Sequence, residues 1–316
     1  MLKELLAGLI CFGLVAGAVG CGSGKPICVG SGLSELEDAH AAGAEAAQKA
    51  KAALGAASAE VVIVYNGSNV RDTAKMLEGV GSVFDSSLIY GCGGYSPLTQ
   101  EGSAGRVAVL ALGGVEVTAV RGVVEGGEGH KDCGVQIGNA LKTAAGKKDG
   151  GRLLLVFGDC HVPKNDNLVV GLRSVLGDDF AVVGGAAHRG TVYEKGKAYE
   201  KSNIGLLLTG DFECGFSMKE DMSADGLINS AREAFAEAIG RKRENVRLVL
   251  VFDCGGRRGE MLKNKNFPQE LEAMKSVAGD ICIFGFYGSG EIGRADSNSP
   301  ARGVGYSIAT CAISSK

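Results

Sequence analysis

The hydrophobic pattern of the chain alternates short apolar runs with longer amphipathic segments. Three of the runs are unbroken, namely Val61–Tyr65, Leu153–Phe157 and Leu248–Phe252. Five consecutive apolar residues predict strands that are buried on both faces. The clearest amphipathic segment is Ala224–Ile239, whose apolar residues recur every three or four positions before Gly240 ends the helix. Strands that alternate with helices predict an α/β fold of layered sheets with flanking helices.

Local signals predict the remaining elements. The capping box Ser34-Glu35-Leu36-Glu37 predicts the start of an Ala-rich helix that runs to about Leu54 and ends near Gly55. Because Gly113-Gly114 separates two apolar runs, Arg106–Leu112 and Val115–Val120 are expected to form a hairpin. We also expect a helix near Val70–Leu77, a helix over Cys133–Ala145, a small hairpin over Thr191–Tyr199 and a last strand over Val304–Ile313.

Three apolar strands end in glycines, at Tyr90-Gly91-Cys92-Gly93, at Val183-Gly184-Gly185 and at Phe284-Gly285-Phe286. Each follows one of the unbroken apolar runs and a helical segment. The order of strand, helix and glycine-rich strand therefore occurs three times, which predicts three related units. In α/β folds, ligands bind beyond the carboxyl ends of the strands, so the three glycine-rich exits are expected to share one pocket.

Length and charge narrow the class of protein. The chain has 316 residues, 51 of them glycine, and a formal net charge of −3. The length suggests two domains, for which we expect the ranges 25–200 and 201–316. A slightly acidic chain without an aromatic-interleaved basic stretch is not expected to bind nucleic acid.

Residues 1–24 differ from the rest of the chain. Lys3 precedes an apolar run from Leu5 to Gly20, which is too short for a membrane span and has the length of a signal-peptide core. Ala18-Val19-Gly20-Cys21 is similar to the lipobox of bacterial lipoproteins, which implies lipidation of Cys21. We therefore expect an exported protein held at the membrane by an N-terminal lipid anchor; a cytoplasmic protein is the alternative.

The segment Gly285-Phe286-Tyr287-Gly288-Ser289-Gly290-Glu291-Ile292-Gly293 resembles the strand exit of the FIST C domain. Val182–Ala187 and Ile89–Gly93 are similar to segments of the same family, in the order that a FIST N and a FIST C domain would give. Gly94-Tyr95-Ser96-Pro97 departs from the family's usual sequence and removes one acidic group. The resemblance implies a sensory-type protein that binds a small molecule, such as an amino acid or a similar metabolite, with no catalytic residues and no cofactor. The protein partner is unknown.

The candidate ligand-binding residues follow the strand ends. Glu291 is the strongest, because a carboxylate among glycines has open backbone N–H groups beside it and is able to pair with a ligand ammonium. Asp159 and Asp253 fall at equivalent points of the second and third units and would make the pocket acidic. The full set is Cys92, Gly93, Asp159, Gly185, His188, Asp253, Ser289, Gly290 and Glu291.

The motifs argue against several classes of enzyme but leave one class open. Gly288-x-Gly290-x-x-Gly293 matches the dinucleotide fingerprint in letters, but a loop follows where a helix is needed, so NAD binding is not expected. The sequence contains no G-x-S-x-G, no H-E-x-x-H and no zinc-finger spacing. The alternative is a thiol- or metal-dependent enzyme that uses cysteine, histidine and aspartate residues at the strand ends. Of the ten cysteines, most are expected to be free buried thiols.

Overall fold

The computed structural model describes residues 25–125, 129–146, 150–158, 161, 163–240 and 243–316. They form three consecutive units of similar construction, as the sequence predicts. Each unit is a succession of strands in which a helix joins two parallel strands, and the helices cover the outer faces of the sheets. The predicted α/β class is confirmed, as are the three related units.

The first unit spans residues 28–113. Its elements are β1 (Cys28–Ser34), α1 (Ala39–Leu54), β2 (Val61–Asn66), α2 (Thr73–Gly81), β3 (Ile89–Gly93), β4 (Ser96–Thr99) and β5 (Val107–Gly113). The second unit spans residues 116–210. Its elements are β6 (Glu116–Val123), α3 (Gly129–Ala145), β7 (Gly151–Gly158), α4 (Lys164–Leu176), β8 (Val182–Ala186), β9 (Val192–Glu194), β10 (Lys197–Tyr199) and β11 (Ser202–Gly210).

The third unit spans residues 212–315 and carries an additional helix. Its elements are β12 (Phe212–Glu220), α5 (Ala224–Ile239), β13 (Val246–Cys254), α6 (Gly255–Lys263), α7 (Phe267–Ala278), β14 (Cys282–Gly288), β15 (Glu291–Gly293), β16 (Arg302–Val304) and β17 (Ser307–Ser315). Among the described residues no helix is long and apolar enough to cross a membrane.

The three units exchange strands in a cycle. The first sheet has the order β1-β5-β2-β3-β9-β10, so it takes its last two strands from the second unit. The second sheet, β6-β11-β7-β8-β15-β16, takes its last two strands from the third unit, and the third sheet, β12-β17-β13-β14-β4, takes β4 from the first. Each unit therefore completes the sheet of another, and the strand exits of different units are held side by side.

One glycine in each of the three glycine-rich strands is required by the parallel strand that lies beside it. Gly91, Gly184 and Gly285 pair in register with Val64, Val156 and Val251 of the neighbouring parallel strand. A β carbon on these glycines would lie 1.9, 2.0 and 1.7 Å from the carbonyl oxygen of that valine. The shared constraint explains why the glycine recurs at the same place in every unit.

One apolar core lies between the three sheets. Tyr65 of the first unit contacts Phe157 of the second, with ring centroids 5.7 Å apart, and Phe284 and Phe286 of the third, at 4.9 and 4.5 Å. All four side chains are buried. Because aromatic side chains bury a large area, this cluster ties the units together and fixes the relative positions of the strand exits.

Two local predictions were wrong. The segment around Gly113-Gly114 is not a hairpin, because β5 joins the first sheet and β6 joins the second; Gly114 has φ +77° and turns the chain from one sheet to the next. Helix α1 does not start in the predicted capping box, since its cap is Asp38, whose carboxylate accepts from the N–H of Ala41. Ser34 ends β1 instead, and β1 pairs with β5 along its whole length.

Candidate functional site

A cavity of about 310 Å³ lies at the carboxyl ends of β2 and β3, where the second unit meets the first. We call it the arginine cavity. Its walls come from the β2–α2 loop, from the exit of β3 and from the turn after β8. The lining residues are Asn66, Gly67, Ser68, Val70, Arg71, Thr73, Gly93, Gly94, His188, Arg189, Thr191 and Tyr193.

The lining of the arginine cavity is cationic, and none of its described residues is an aspartate or a glutamate. Arg71 and Arg189 are exposed, and neither forms an ion pair with any described residue. Four other arginines do form ion pairs with described residues, namely Arg106, Arg121, Arg173 and Arg257. Arg189 also holds a left-handed backbone with φ +60°, an uncommon conformation for a residue other than glycine. The arrangement is suited to an anionic group.

The inner wall of this cavity is a fixed hydrogen-bonded pair. The Tyr193 hydroxyl, which is buried, donates to Asn66 Oδ1, and Asn66 Nδ2 donates to the carbonyl of Gly67 at 3.0 Å. Beside them, burial lowers the pKa of His188, and the charge of Arg189 lowers it further. His188 is therefore neutral at pH 7 and is able to hydrogen-bond a ligand without adding charge.

The arginine cavity opens into a wider cleft of about 660 Å³, with which it shares Ser68, Arg71 and Arg189. The cleft lies at the amino ends of α1 and α2 and holds the carboxylates of Glu37, Asp38 and Asp72. Carboxylates therefore lie on the outer side of the two arginines, together with Lys75 and Arg106. On the inner side none of the described lining residues is acidic.

A second cavity, of about 300 Å³, lies at the carboxyl ends of β13 and β14. We call it the tyrosine cavity. It is the equivalent of the arginine cavity in the third unit, because the first unit closes it here with the segment that leads into β4. The lining residues are Tyr95, His161, Cys254, Gly256, Gly288, Ser289, Gly305 and Tyr306.

The Cys254 thiol is held at the amino end of α6. Cys254 Sγ accepts from the N–H of Gly256 at 3.3 Å, and the N–H groups of Arg257 and Tyr306 also act on it. Burial, with the nearby Glu291 carboxyl, nevertheless raises the pKa of this thiol to about 11. The thiol is therefore protonated at neutral pH, which does not favour an activated nucleophile.

Glu291 lies behind the wall of the tyrosine cavity and does not line it. Its side chain is buried, and Oε2 accepts from the N–H and the hydroxyl of Ser307 at 3.1 and 2.9 Å. Oε1 has no hydrogen bond of full geometry with a described residue, although the Cys254 side chain is close enough to act as a weak donor. Burial raises the pKa of Glu291 to about 8, and the charge of Asp253 adds to the rise.

Asp253 belongs to a buried ionic network under α6. The fully buried Arg257 donates to Asp253 Oδ1 and Glu270 Oε1, both at 2.9 Å, and its remaining N–H groups bond Ser230 and two backbone carbonyls. Tyr287 donates to Glu270 Oε2 at 2.8 Å. Burial raises the pKa of Glu270 well above its usual value, and the charge of Asp253 adds to the rise. Asp253 Oδ2 has no hydrogen-bond donor among the described residues. The network joins α6 to β13 and α7, and its charged side chains line neither cavity.

The predicted residues are thus divided between two cavities and the interior. Gly93 and His188 line the arginine cavity, Ser289 lines the tyrosine cavity, and Cys92 is buried in the core, where desolvation raises its pKa. Gly185 and Gly290 form the wall between β8 and β15, where the N–H of Ala186 donates to the Gly290 carbonyl at 2.7 Å. Asp159 and Cys21 lie outside the described residues. The predicted single pocket is therefore two neighbouring cavities.

Sequence reasoning did not select Arg71, Arg189, Tyr95 or Tyr306. Each lies in a loop with no hydrophobic period, so no pattern marks it. One usable signal was present for Tyr95 and Arg189, because Tyr95 follows Gly94 directly and Arg189 comes four positions after Gly185. Among the described residues no group of three or more His, Cys, Asp or Glu side chains is arranged to hold a metal ion.

Comparisons with known proteins identify the domains. The FIST N domain matches residues 60–226, which is more than half of the chain, and the FIST C domain matches residues 181–294. The two ranges overlap, and the expected boundary near residue 200 stays a prediction. No curated protein sequence matches the chain.

Solved structures with a similar arrangement include two cyanuric acid hydrolases. One is described as an evolutionary innovation by structural concatenation; it is 11% identical, with a TM-score of 0.46, over 92% of this chain and 100% of its own. The other, from A. caulinodans, is 12% identical, with a TM-score of 0.48, over 92% of this chain and 99% of its own. Similarities this distant carry no conclusion about activity.

Proposed function

The chain belongs to the FIST family, whose domains are generally taken as small-ligand sensory domains, and we propose that its ligand is a small carboxylate-bearing metabolite, such as an amino acid, bound in the arginine cavity. The observation that carries this proposal is two exposed arginines that form no ion pair with a described residue, on a cavity where no described lining residue is an aspartate or a glutamate. The sequence alone predicted that the protein recognises the ammonium group of its ligand. The cavity supports recognition of the ligand's carboxylate.

The carboxylate of the ligand pairs with Arg71 and Arg189. An arginine presents two parallel N–H donors that match the two oxygens of a carboxylate, so these hydrogen bonds are charge-assisted and directional. Arg71 comes from the first unit and Arg189 from the second. A bound carboxylate therefore joins two units, which gives a sensory protein a means to respond to its ligand.

The remainder of the ligand has complementary groups on both sides of the arginines. Toward the inside, His188 and the hydroxyl of Thr73 provide neutral hydrogen-bonding groups. Toward the outside, Asp38 and Asp72 provide the negative charge that an ammonium group requires. An amino acid carries both charges a short distance apart, so its charges match this arrangement of cationic and acidic surfaces. A cavity of about 310 Å³ limits the ligand to small metabolites.

Calorimetric titration with L-alanine, L-glutamate and succinate, each compared with its carboxamide, tests the proposal. We expect at least one acid to bind and its carboxamide to bind at least about tenfold more weakly, since a charge-assisted hydrogen bond contributes about 1.5–3 kcal/mol. Arg71→Gln and Arg189→Gln should each cause a loss of similar size. Arg247→Gln, at an exposed position distant from the cavity lining, is the matched control and should bind like the wild type. Equal binding of acid and carboxamide, or wild-type affinity in both cavity variants, would contradict the proposal.

We further propose that the protein is exported and anchored by a lipid on Cys21. The support is the apolar run that ends in Ala18-Val19-Gly20-Cys21, followed by a short Gly-Ser-Gly tether. In that location the arginine cavity would sample small metabolites outside the cytoplasm.

A further inference from the structure

We propose that the tyrosine cavity is a second ligand site, which takes an uncharged planar ring compound. It is separate from the carboxylate site of the proposed function, and its evidence is independent. The two cavities occupy equivalent positions in the cycle of units, but their linings differ in chemistry. The arginine cavity has two cationic side chains, whereas no aspartate, glutamate, lysine or arginine is present among the described residues that line the tyrosine cavity.

The aromatic walls rest on the first two residues of α6. A β carbon on Gly255 would lie 2.3 Å from Cε2 of Tyr95, and a β carbon on Gly256 would lie 2.6 Å from Cε1 of Tyr306. Glycine is therefore required at both positions for the rings to lie this close to the helix. The two rings flank consecutive residues of one helix end, so aromatic side chains bound the cavity, which suits a planar ligand.

The packing of the fold does not account for a tyrosine at position 306. Its side chain is 61% exposed, the largest exposure among the large hydrophobic side chains of the described residues. Its backbone has φ +58°, a left-handed conformation that is costly for an aromatic residue. Asparagine or glycine would satisfy such a turn at lower cost. A ligand that stacks on the ring would bury it and account for a tyrosine at this position.

Polar groups at the cavity indicate a ring with hydrogen-bonding atoms. The Ser289 hydroxyl lines the cavity, is partly exposed and forms no hydrogen bond with a described residue. The floor contains the glycine-rich exit at Gly288 and the amino end of α6. These groups favour a heterocycle or a phenol over a plain hydrocarbon. The volume of about 300 Å³ accommodates one or two fused rings.

Indole is the probe for this site, because the chain contains no tryptophan and the fluorescence of indole is free of protein background. Its fluorescence anisotropy, measured against protein concentration, should rise to saturation with a millimolar or tighter dissociation constant. Tyr306→Ala and Tyr95→Ala should each weaken binding by about tenfold, the loss expected on removal of one stacked ring. Tryptamine, which adds an ammonium group, should bind more weakly than indole because none of the described residues that line the cavity carries a carboxylate.

Two controls separate this site from the arginine cavity. Arg71→Gln should leave indole binding unchanged, and Tyr306→Ala should leave carboxylate binding unchanged, so the failure of either proposal is distinguishable from that of the other. Near-wild-type thermal unfolding of Tyr306→Ala is expected, because the side chain is exposed. The proposal is overturned if indole fails to saturate at millimolar concentration, or if Tyr306→Ala and Tyr95→Ala bind it as tightly as the wild type.

Discussion

The rings of Tyr95 and His188 pack against each other, with centroids 4.1 Å apart and an interplanar angle of 37°. Tyr95 lines the tyrosine cavity and His188 lines the arginine cavity, so this pair is the partition between the two. The two residues follow equivalent strand exits of the first and second units. A change of charge or solvation in one cavity therefore alters the environment of the ring that lines the other cavity.

The first prediction concerns the protonation of His188. Burial is the main cause of its lowered pKa, and Arg189 is the second. Tyr95→Ala should expose the imidazole to water and raise the pKa toward the ordinary value, and Arg189→Gln should raise it by a smaller amount. An NMR titration of the imidazole measures both changes. Lower pKa values in the variants would show that other groups control His188.

The second prediction concerns Glu291. Its pKa of about 8 in the folded protein exceeds the ordinary value of 4.5, so the folded state holds the proton more tightly than the unfolded state. Stability from this group is present at low pH and is lost as the pH rises from about 4.5 to about 8. Glu291→Gln has no titrating group at this position, so its stability should not fall for this reason. The unfolding free energy of the variant should therefore rise relative to that of the wild type as the pH increases across that interval. Urea unfolding at several pH values measures it. A parallel pH dependence in both proteins would contradict the raised pKa, and the surface variant Glu260→Gln is the control.

The third prediction concerns the buried arginine. Arg257→Met should destabilise the fold by about 3–5 kcal/mol, because it leaves Asp253 and Glu270 without their cation in the interior. Adding Asp253→Asn and Glu270→Gln to the variant should recover part of the loss, since the uncompensated charge is then gone. Equilibrium denaturation measures each step, with the exposed Arg247→Met as control. A loss below about 1 kcal/mol would mean that the network is hydrated or neutral.

The fourth prediction concerns the recurrent glycine. Gly91→Ala, Gly184→Ala and Gly285→Ala should each destabilise the protein by about 1–3 kcal/mol or more, because the new methyl group would overlap a carbonyl oxygen of the adjacent strand. Gly259→Ala is the matched control. Gly259 lies inside α6 with no neighbouring atom within 4 Å of a β carbon, and alanine there should stabilise the helix by about 0.5–1 kcal/mol. Thermal unfolding compares the four variants, and equal effects at all positions would refute the packing argument.

The fifth prediction concerns the N-terminal segment. If Cys21 is acylated, the protein should fractionate with membranes, and Cys21→Ser should release it. Cys28→Ser, which changes a neighbouring cysteine within β1, is the control and should leave fractionation unchanged. Mass spectrometry of the N-terminus tests the same point directly. A soluble, unmodified protein that begins at Met1 would exclude the anchor.

The sequence by itself determined the elements and the recurrent glycines. The runs at Val61, Leu153 and Leu248 are strands because burial on both faces requires continuous apolar residues, and this requirement is local in the chain. Gly91, Gly184 and Gly285 were recognisable for the same reason, since each ends an apolar run. These features fixed the α/β class and the three related units before any contact between units was known.

Only the tertiary structure decided where the sites lie. The exchange of strands between units depends on which edges find partners, and the hairpin expected at Gly113-Gly114 was wrong because each of its strands pairs in a different sheet. Arg71 and Arg189 are distant in sequence, and packing of two units is what brings them to one cavity. Glu291 looked like an accessible carboxylate, but burial raises its pKa, and desolvation depends on neighbours that no local pattern specifies.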